Sequence, residues 1–410
     1  MARQNVGQPK FYVDMLSYWK AQGILSMPEM TEDVEVVIPP GGDEPDEPIY
    51  VTTTVQEFPR IIGLRPSNFT VMQRTFPSTV GGSIFSNLSI PQDSMSNGTI
   101  FFGLLGHNFG QLQNSNGAER ADIQVSIANT GGTTSFETYG SEDITTNEVC
   151  NWNGTKGIGL NGWSLCTADI ASEILSMSSI SLNFRELNKY DGDNDGIPEE
   201  ETTIILGNLS FGNVYQMDRS PDLSLSMTRE YDGVRTQNTR GGSRLAQIDY
   251  SSSSQWAGLP AWGLKGHTNA TNPILSMIEN EESMPSVSRG RRTWNLKFSH
   301  LSSDNLFAVN ELRSVDNPTD SSSESSNAGY DDGDFDEAGD FNSTIEHDSS
   351  FFGAFMEKTM GGNLPFIFQP DGNNNSPDQF AICVLDQQAI KFTQVAHNTY
   401  NISLKIREVW

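Results

Sequence analysis

The feature that most constrains this chain is its punctuation. Its apolar residues come in short runs of strand length, separated by stretches rich in Gly, Ser, Asn, Asp and Thr rather than continuing as long helices would. Thr99-Ile-Phe-Phe-Gly-Leu-Leu105, Ala121-Asp-Ile-Gln-Val-Ser-Ile127, Ser179-Ile-Ser-Leu-Asn-Phe184 and Thr203-Ile-Ile-Leu-Gly207 are such runs. The second and third alternate apolar with polar side chains, the period of two of a strand with one buried face. Residues 218–290, rich in Gly, Ser, Arg and Asn, read as irregular connections with a few strands. The runs then resume at Thr293-Trp-Asn-Leu-Lys-Phe298, Leu364-Pro-Phe-Ile-Phe368, Phe380-Ala-Ile-Cys-Val-Leu385 and Tyr400-Asn-Ile-Ser-Leu-Lys-Ile406. The predicted fold class is mainly β. A chain of 410 residues exceeds what one core usually holds. The expected division is an N-terminal arm and linker over 1–48, a β-sandwich over 49–217, and a second β-rich domain over 218–410 with an acidic loop at 316–348.

Near the start, Phe11, Tyr12, Met15, Leu16 and Trp19 fall close to helical spacing, with Gly23 as a stop, and predict a short amphipathic helix. The Pro-rich acidic run Ile38-Pro-Pro-Gly-Gly-Asp-Glu-Pro-Asp-Glu-Pro48 reads as an extended linker. Two placements stay open for the helix: an arm carrying an aromatic plug to an adjacent copy, or a helix packed on its own domain.

Charge excludes whole classes of partner. Acidic residues number 52 against 25 basic ones, and a formal charge of -27 opposes phosphate backbones and anionic lipid, so no nucleic acid is expected. The polar start lacks an apolar signal core and no stretch approaches membrane-spanning length, so the expectation is a soluble chain made in the cytoplasm, with no membrane insertion. Cys150, Cys166 and Cys383 are too few for a disulfide framework and show no zinc spacing; buried free thiols are expected.

The sharpest chemical motif is Asp191-Gly-Asp-Asn-Asp-Gly-Ile-Pro-Glu-Glu-Glu201. Calcium takes six to eight oxygen ligands, and alternate carboxylates with a glycine turn wrap one ion. Asp191, Asp193, Asp195 and Glu199 would supply side chains and Ile197 its carbonyl, for a structural Ca2+ clip; an acidic hairpin turn is the alternative. Position twelve is Thr202 rather than Glu, so the loop is not an EF-hand. The five histidines are dispersed, and no zinc-protease, nucleophile-elbow or P-loop motif is present. The Gly-Gly pairs at Gly81, Gly131, Gly241 and Gly361 sit in turn-like settings and are poor phosphate cradles. An enzyme is therefore not expected. Trp152, Trp163, Trp256 and Trp262 lie in polar surroundings, where core packing and sugar stacking both remain open.

Two sets of residues carry a resemblance. Phe101-Phe-Gly-Leu-Leu-Gly-His-Asn-Phe109, with the alternating strand after it and Ile204-Ile-Leu-Gly-Asn-Leu-Ser-Phe-Gly-Asn213, resembles jelly-roll sandwich modules of phage tail and baseplate proteins. Ser220-Pro-Asp-Leu-Ser-Leu225, Gly290-Arg-Arg-Thr-Trp-Asn-Leu-Lys-Phe298, Lys358-Thr-Met-Gly-Gly-Asn-Leu-Pro-Phe-Ile-Phe-Gln-Pro-Asp371 and Tyr400-Asn-Ile-Ser-Leu-Lys-Ile-Arg-Glu408 are similar to blocks in virion structural proteins of tailed marine bacteriophages. The resemblance implies a virion location and a tail, tail-tip or baseplate component, similar to a distal-tail protein. Its implied partners are other copies in a ring-like homo-oligomer and other phage tail proteins. A carbohydrate-binding module that recognises a host surface glycan is the alternative, and a polysaccharide-degrading enzyme a more distant one. The final strand and Trp410 are expected to add an edge or a plug to a neighbouring subunit.

Overall fold

A computed structural model describes residues 5–25, 29–36, 49–57, 61–64, 70–74, 83–89, 91, 98–107, 122–129, 132–137, 146–150, 163–170, 177–185, 202–223, 225–230, 234–248, 291–307, 349–375 and 379–409. The protein is mainly β, as predicted. Its main sheet has eleven strands. In chain order they are β1 (Lys10–Asp14), β2 (Gly98–Leu105), β3 (Thr146–Cys150), β4 (Trp163–Ile170), β5 (Asn208–Gln216), β6 (Ser226–Glu230), β7 (Arg291–Ser302), β8 (Phe366–Gln369), β9 (Ala381–Leu385), β10 (Thr393–Ala396) and β11 (Thr399–Glu408). Across the sheet the order is β6-β7-β11-β9-β8-β1-β5-β2-β4-β3, with β10 paired to β11, and every pairing is antiparallel.

β1 is the hinge of this order. It pairs with β5 on one side, Phe11 opposite Tyr215, and with β8 on the other, Phe11 opposite Phe368. Strands from either side of residue 217 thus share one sheet, with the N-terminal strand between them. The flanking chain is held the same way: Gly7 N–H donates to Pro370 O at 3.0 Å, Met217 N–H to Pro9 O at 3.1 Å, and the Gln8 amide to Met217 O at 2.6 Å.

Phe11 to Asp14, expected to be helical, are therefore extended, and helix α1 begins only at Met15 (Met15–Gln22). Aromatic and β-branched residues at 11–13 favour a strand, and two ready-made ladders satisfy their backbone where a helix would satisfy only its own. Gly23 does stop the helix, in the left-handed region at φ 73°, with its N–H on Lys20 O. Phe11, Tyr12, Met15, Leu16 and Trp19 are all fully buried on their own chain, the second of the two placements.

Strand alternation sends neighbours in β1 to two cores. Phe11 and Val13 join the larger one, where Phe11 meets Phe355 at 4.6 Å, Phe368 at 5.3 Å and Phe366 at 5.7 Å between ring centroids. Tyr12 faces the smaller one, edge-on to Phe101 at 5.3 Å, beside Leu105, Leu165, Ile367, Phe380 and Ile382. Its hydroxyl donates to Gln369 Oε1 at 2.7 Å. The larger core also takes up Trp294, Leu296, Phe298, Ile402, Leu404 and Ile406, inward positions two apart on β7 and β11. A π-helical segment, Phe351–Glu357, contributes Phe351 and Phe355 to it.

Further strands form smaller antiparallel sheets. Ser83–Ser89, Met177–Arg185, Asp122–Asn129 and Gly132–Glu137 make a four-stranded sheet in that order. Thr70–Arg74 pairs with Thr202–Leu206, Glu29–Val36 with Ile49–Glu57, and Val234–Asn238 with Arg244–Ile248. Val36 and Ile49, which flank the Pro-rich run, are direct partners. The final strand corrects another expectation. β11 is paired along one side to β7 and along the other to β9 and β10, so its backbone offers no edge to a neighbour. Trp410 lies outside the described residues. Among those residues no helix is long and apolar enough to cross a membrane.

Candidate functional site

The groups able to do chemistry are built into strands. On β7 the inward positions are Arg292, Trp294, Leu296 and Phe298; on β11 they are Ile402, Leu404, Ile406 and Glu408. The two charged members lie at corresponding ends of adjacent strands, and they meet. Arg292 Nε donates to Glu408 Oε2 and Nη2 to Oε1, each at 3.0 Å, while the Arg292 backbone N–H adds a bond to Oε2 at 2.9 Å. Nη2 also donates to Phe380 O at 2.7 Å, and the guanidinium carbon stands 5.2 Å from the Trp294 ring centroid. A bidentate pair whose guanidinium also bonds a backbone carbonyl is a geometry in which a buried ion pair is tolerated. Beside it, burial and then the Glu408 charge hold the Cys383 thiol well above its usual range, against Arg292, so this cysteine is inert. Cys166 is the other described free thiol, also buried and pushed up by burial.

A second buried acid sits where β1 meets β5. Asp14 accepts from the Ser17 hydroxyl and from Phe211 N–H at 3.3 Å. Burial raises its carboxyl to about 6, and hydrogen bonds from Ser17, Ser210 and backbone N–H groups pull it back only partly. β5 comes this close because Gly212 stands opposite Asp14: a Cβ at 212 would lie 2.0 Å from Val13 O.

His107, at the end of β2, has Nε2 at 3.0 Å from Ser164 Oγ on β4. A serine and a histidine at this distance are the elements of a nucleophile and base. Their setting argues otherwise. Both are buried to within 1%, leaving a substrate no approach, and burial lowers the imidazole to about 3, so it stays neutral as a core hydrogen-bonding group. Lys358, also buried, places Nζ 5.0 Å from the Tyr18 ring centroid.

The two described Gly-Gly pairs are turns. Gly361 and Gly362 have φ 70° and 82°, following Met360 at 51°, and a Cβ at 362 would lie 2.3 Å from Leu385 Cγ. Gly241-Gly242 lies in the turn after Asn238. Neither opens a helix, so neither forms a phosphate cradle.

Among the described residues the sheet ends in β6, which pairs only with β7. Ser226, Met227 and Thr228 are exposed, and Leu223 just before them is fully so. The opposite end is β3. Asp191, Asp193, Asp195, Ile197 and Glu199 lie outside the described residues, as do the 316–348 run and Trp152, Trp256 and Trp262. Trp163 opens β4. Among the described residues no group of three or more His, Cys, Asp or Glu is placed to hold a metal ion.

No protein-family model matches this chain, nor does any curated protein or any solved structure.

Proposed function

We propose that this protein is a non-catalytic structural component of a tailed-phage particle, in the tail, tail tip or baseplate, acting by assembly with copies of itself and with other tail proteins. The observation that carries the assembly part is the edge strand β6. Its outer backbone N–H and C=O groups have no partner strand among the described residues, and Met227 and Leu223 are exposed beside it. Monomeric proteins blunt such an edge with charge, proline or a covering element, because it templates pairing with another chain; in β6 charge is confined to Arg229 and Glu230 at its end, and Ser226, Met227 and Thr228 carry none. Assembly by edge addition turns that liability to use. The sequence blocks around Trp294, Phe366 and Tyr400 supply the virion class.

Within this reading, 49–217 contributes a jelly-roll-like sandwich whose strands β2 to β5 also belong to the sheet shared with 291–408, and the antiparallel pairing of that stretch supports it. The Asp191–Glu199 stretch is a structural calcium clip, supported by its carboxylate spacing. Size-exclusion chromatography with light scattering, followed by negative-stain imaging, tests the assembly. A closed oligomer is expected, reduced to monomer by Met227→Lys, which puts a charge on the edge. A chain that stays monomeric at every concentration, or an oligomer that Met227→Lys leaves intact, overturns the role given to β6.

A further inference from the structure

We infer that the hairpin formed by Val234–Asn238 and Arg244–Ile248 is a cationic docking arm whose partner is a carboxylate-rich surface of a second copy of this chain. The inference rests on the assembly reading above and gives it a second contact.

The hairpin has three properties that a buried connection would not combine. Among the described residues its strands pair only with each other, in register from Val234 opposite Ile248 to Asn238 opposite Arg244. Its tip is nonetheless ordered. Thr239 N–H donates to Ser243 O at 2.8 Å, Gly242 N–H to Thr239 O at 2.9 Å and Ser243 N–H to Thr239 Oγ1 at 3.0 Å, with Gly242 at φ 84° completing the turn. Residues 236–246 are exposed apart from half-buried Thr239, and they include Leu245 at 57%.

Its charge is the opposite of the rest of the molecule. Between residues 234 and 248 stand Arg235, Arg240 and Arg244 and no acidic residue, a charge of +3. The whole chain carries -27, so the remainder carries -27 - 3 = -30. Two copies repel on average. A stiff basic projection on each is the element that converts this repulsion into an oriented contact, since the rest of the partner carries a net charge of -30. Arginine suits the role through its bidentate geometry toward carboxylate, and exposed Leu245, next to Arg244, adds apolar area that water would leave on contact.

Sedimentation velocity on the full chain at one fixed ionic strength tests this. Reversing two charges, Arg240→Glu with Arg244→Glu, is expected to weaken self-association by about tenfold or more. Neutral Arg240→Gln with Arg244→Gln should weaken it less, and Leu245→Ala alone measurably. The control Lys391→Glu with Lys405→Glu makes the same -4 change in net charge at side chains outside both the hairpin and β6 and should leave association nearly unchanged. The substituted side chains are exposed, so thermal unfolding of the variants should match the wild type. Equal weakening by the control, or wild-type association after reversal at 240 and 244, overturns the docking arm. Association that Met227→Lys abolishes while the hairpin variants retain it leaves the edge-assembly reading standing and removes this one. A wild-type chain that never associates removes both.

Discussion

Arg292 and Glu408 meet as a two-pronged buried pair, Nε to Oε2 and Nη2 to Oε1 at 3.0 Å each, joining the starts and ends of two strands more than a hundred residues apart in sequence. Each residue is 5% exposed. Glu408→Gln keeps the shape but strands the guanidinium charge, and should cost about 3–5 kcal/mol in urea unfolding. Arg292→Met combined with Glu408→Leu removes both charges and should recover most of that loss. A single substitution that costs under about 1 kcal/mol would mean the pair is not buried as described.

Two glycines separate close approach from mere strand weakness. Gly212→Ala places a methyl 2.0 Å from Val13 O and should cost about 3 kcal/mol or more, because β1 would have to withdraw from β5. Gly103→Ala, on the neighbouring strand β2, meets Ser210 Cβ at an ordinary 3.5 Å and should change stability by no more than about 1 kcal/mol. Equal effects in denaturant unfolding would contradict the β1–β5 register.

The pH dependence has two opposing sources. Asp14 is raised from 3.8 to about 6, so the folded state holds this proton more tightly than the unfolded chain does. Its contribution is full below 3.8 and is lost as pH rises through about 6, on the order of 3 kcal/mol. His107 runs the other way. Lowered from 6.5 to about 3, it contributes fully above 6.5 and loses that contribution as pH falls toward about 3. Between these values the two contributions oppose each other, and variants separate them. The unfolding free energy of wild type minus Asp14→Asn should fall as pH rises from 4 to 7, whereas wild type minus His107→Gln should rise; a constant difference for either excludes that group.

Strand positions were legible because apolar runs of strand length and their alternation are local signals. The runs ending at Leu105, Phe298 and Ile406 all lie in β2, β7 and β11. The same alternation carried a signal for the ion pair: Arg292 and Glu408 continue the inward series Trp294-Leu296-Phe298 and Ile402-Leu404-Ile406, and two opposite charges at inward positions call for each other. What local pattern cannot carry is which strand lies beside which. β1 reaches β8 across most of the chain, and the spacing of Phe11, Met15 and Trp19 suits a helix as well as a strand followed by one. The exposed hairpin was hidden for a similar reason, its short strands set in a Gly-, Ser- and Arg-rich stretch. Of the proposed calcium ligands the sequence gives a spacing and nothing of their geometry.

Calcium tests that spacing directly. Added Ca2+ should raise the melting temperature, chelator should lower it, and Asp193→Ala should abolish the response, since a ligand that binds only the folded state stabilises by mass action. A melting temperature indifferent to both additions removes the clip.

Hydrogen–deuterium exchange compared between the isolated chain and its assembled form tests the central claim, that a sheet locked internally by β1 assembles through its surface. Amides of β1 should be as protected as the most stable strands in both states, while those of β6 and of the 234–248 hairpin should exchange quickly in the isolated chain and gain protection on assembly. The account is contradicted if β1 is the segment that exchanges quickly when isolated and becomes protected on assembly, with β6 and the hairpin unchanged.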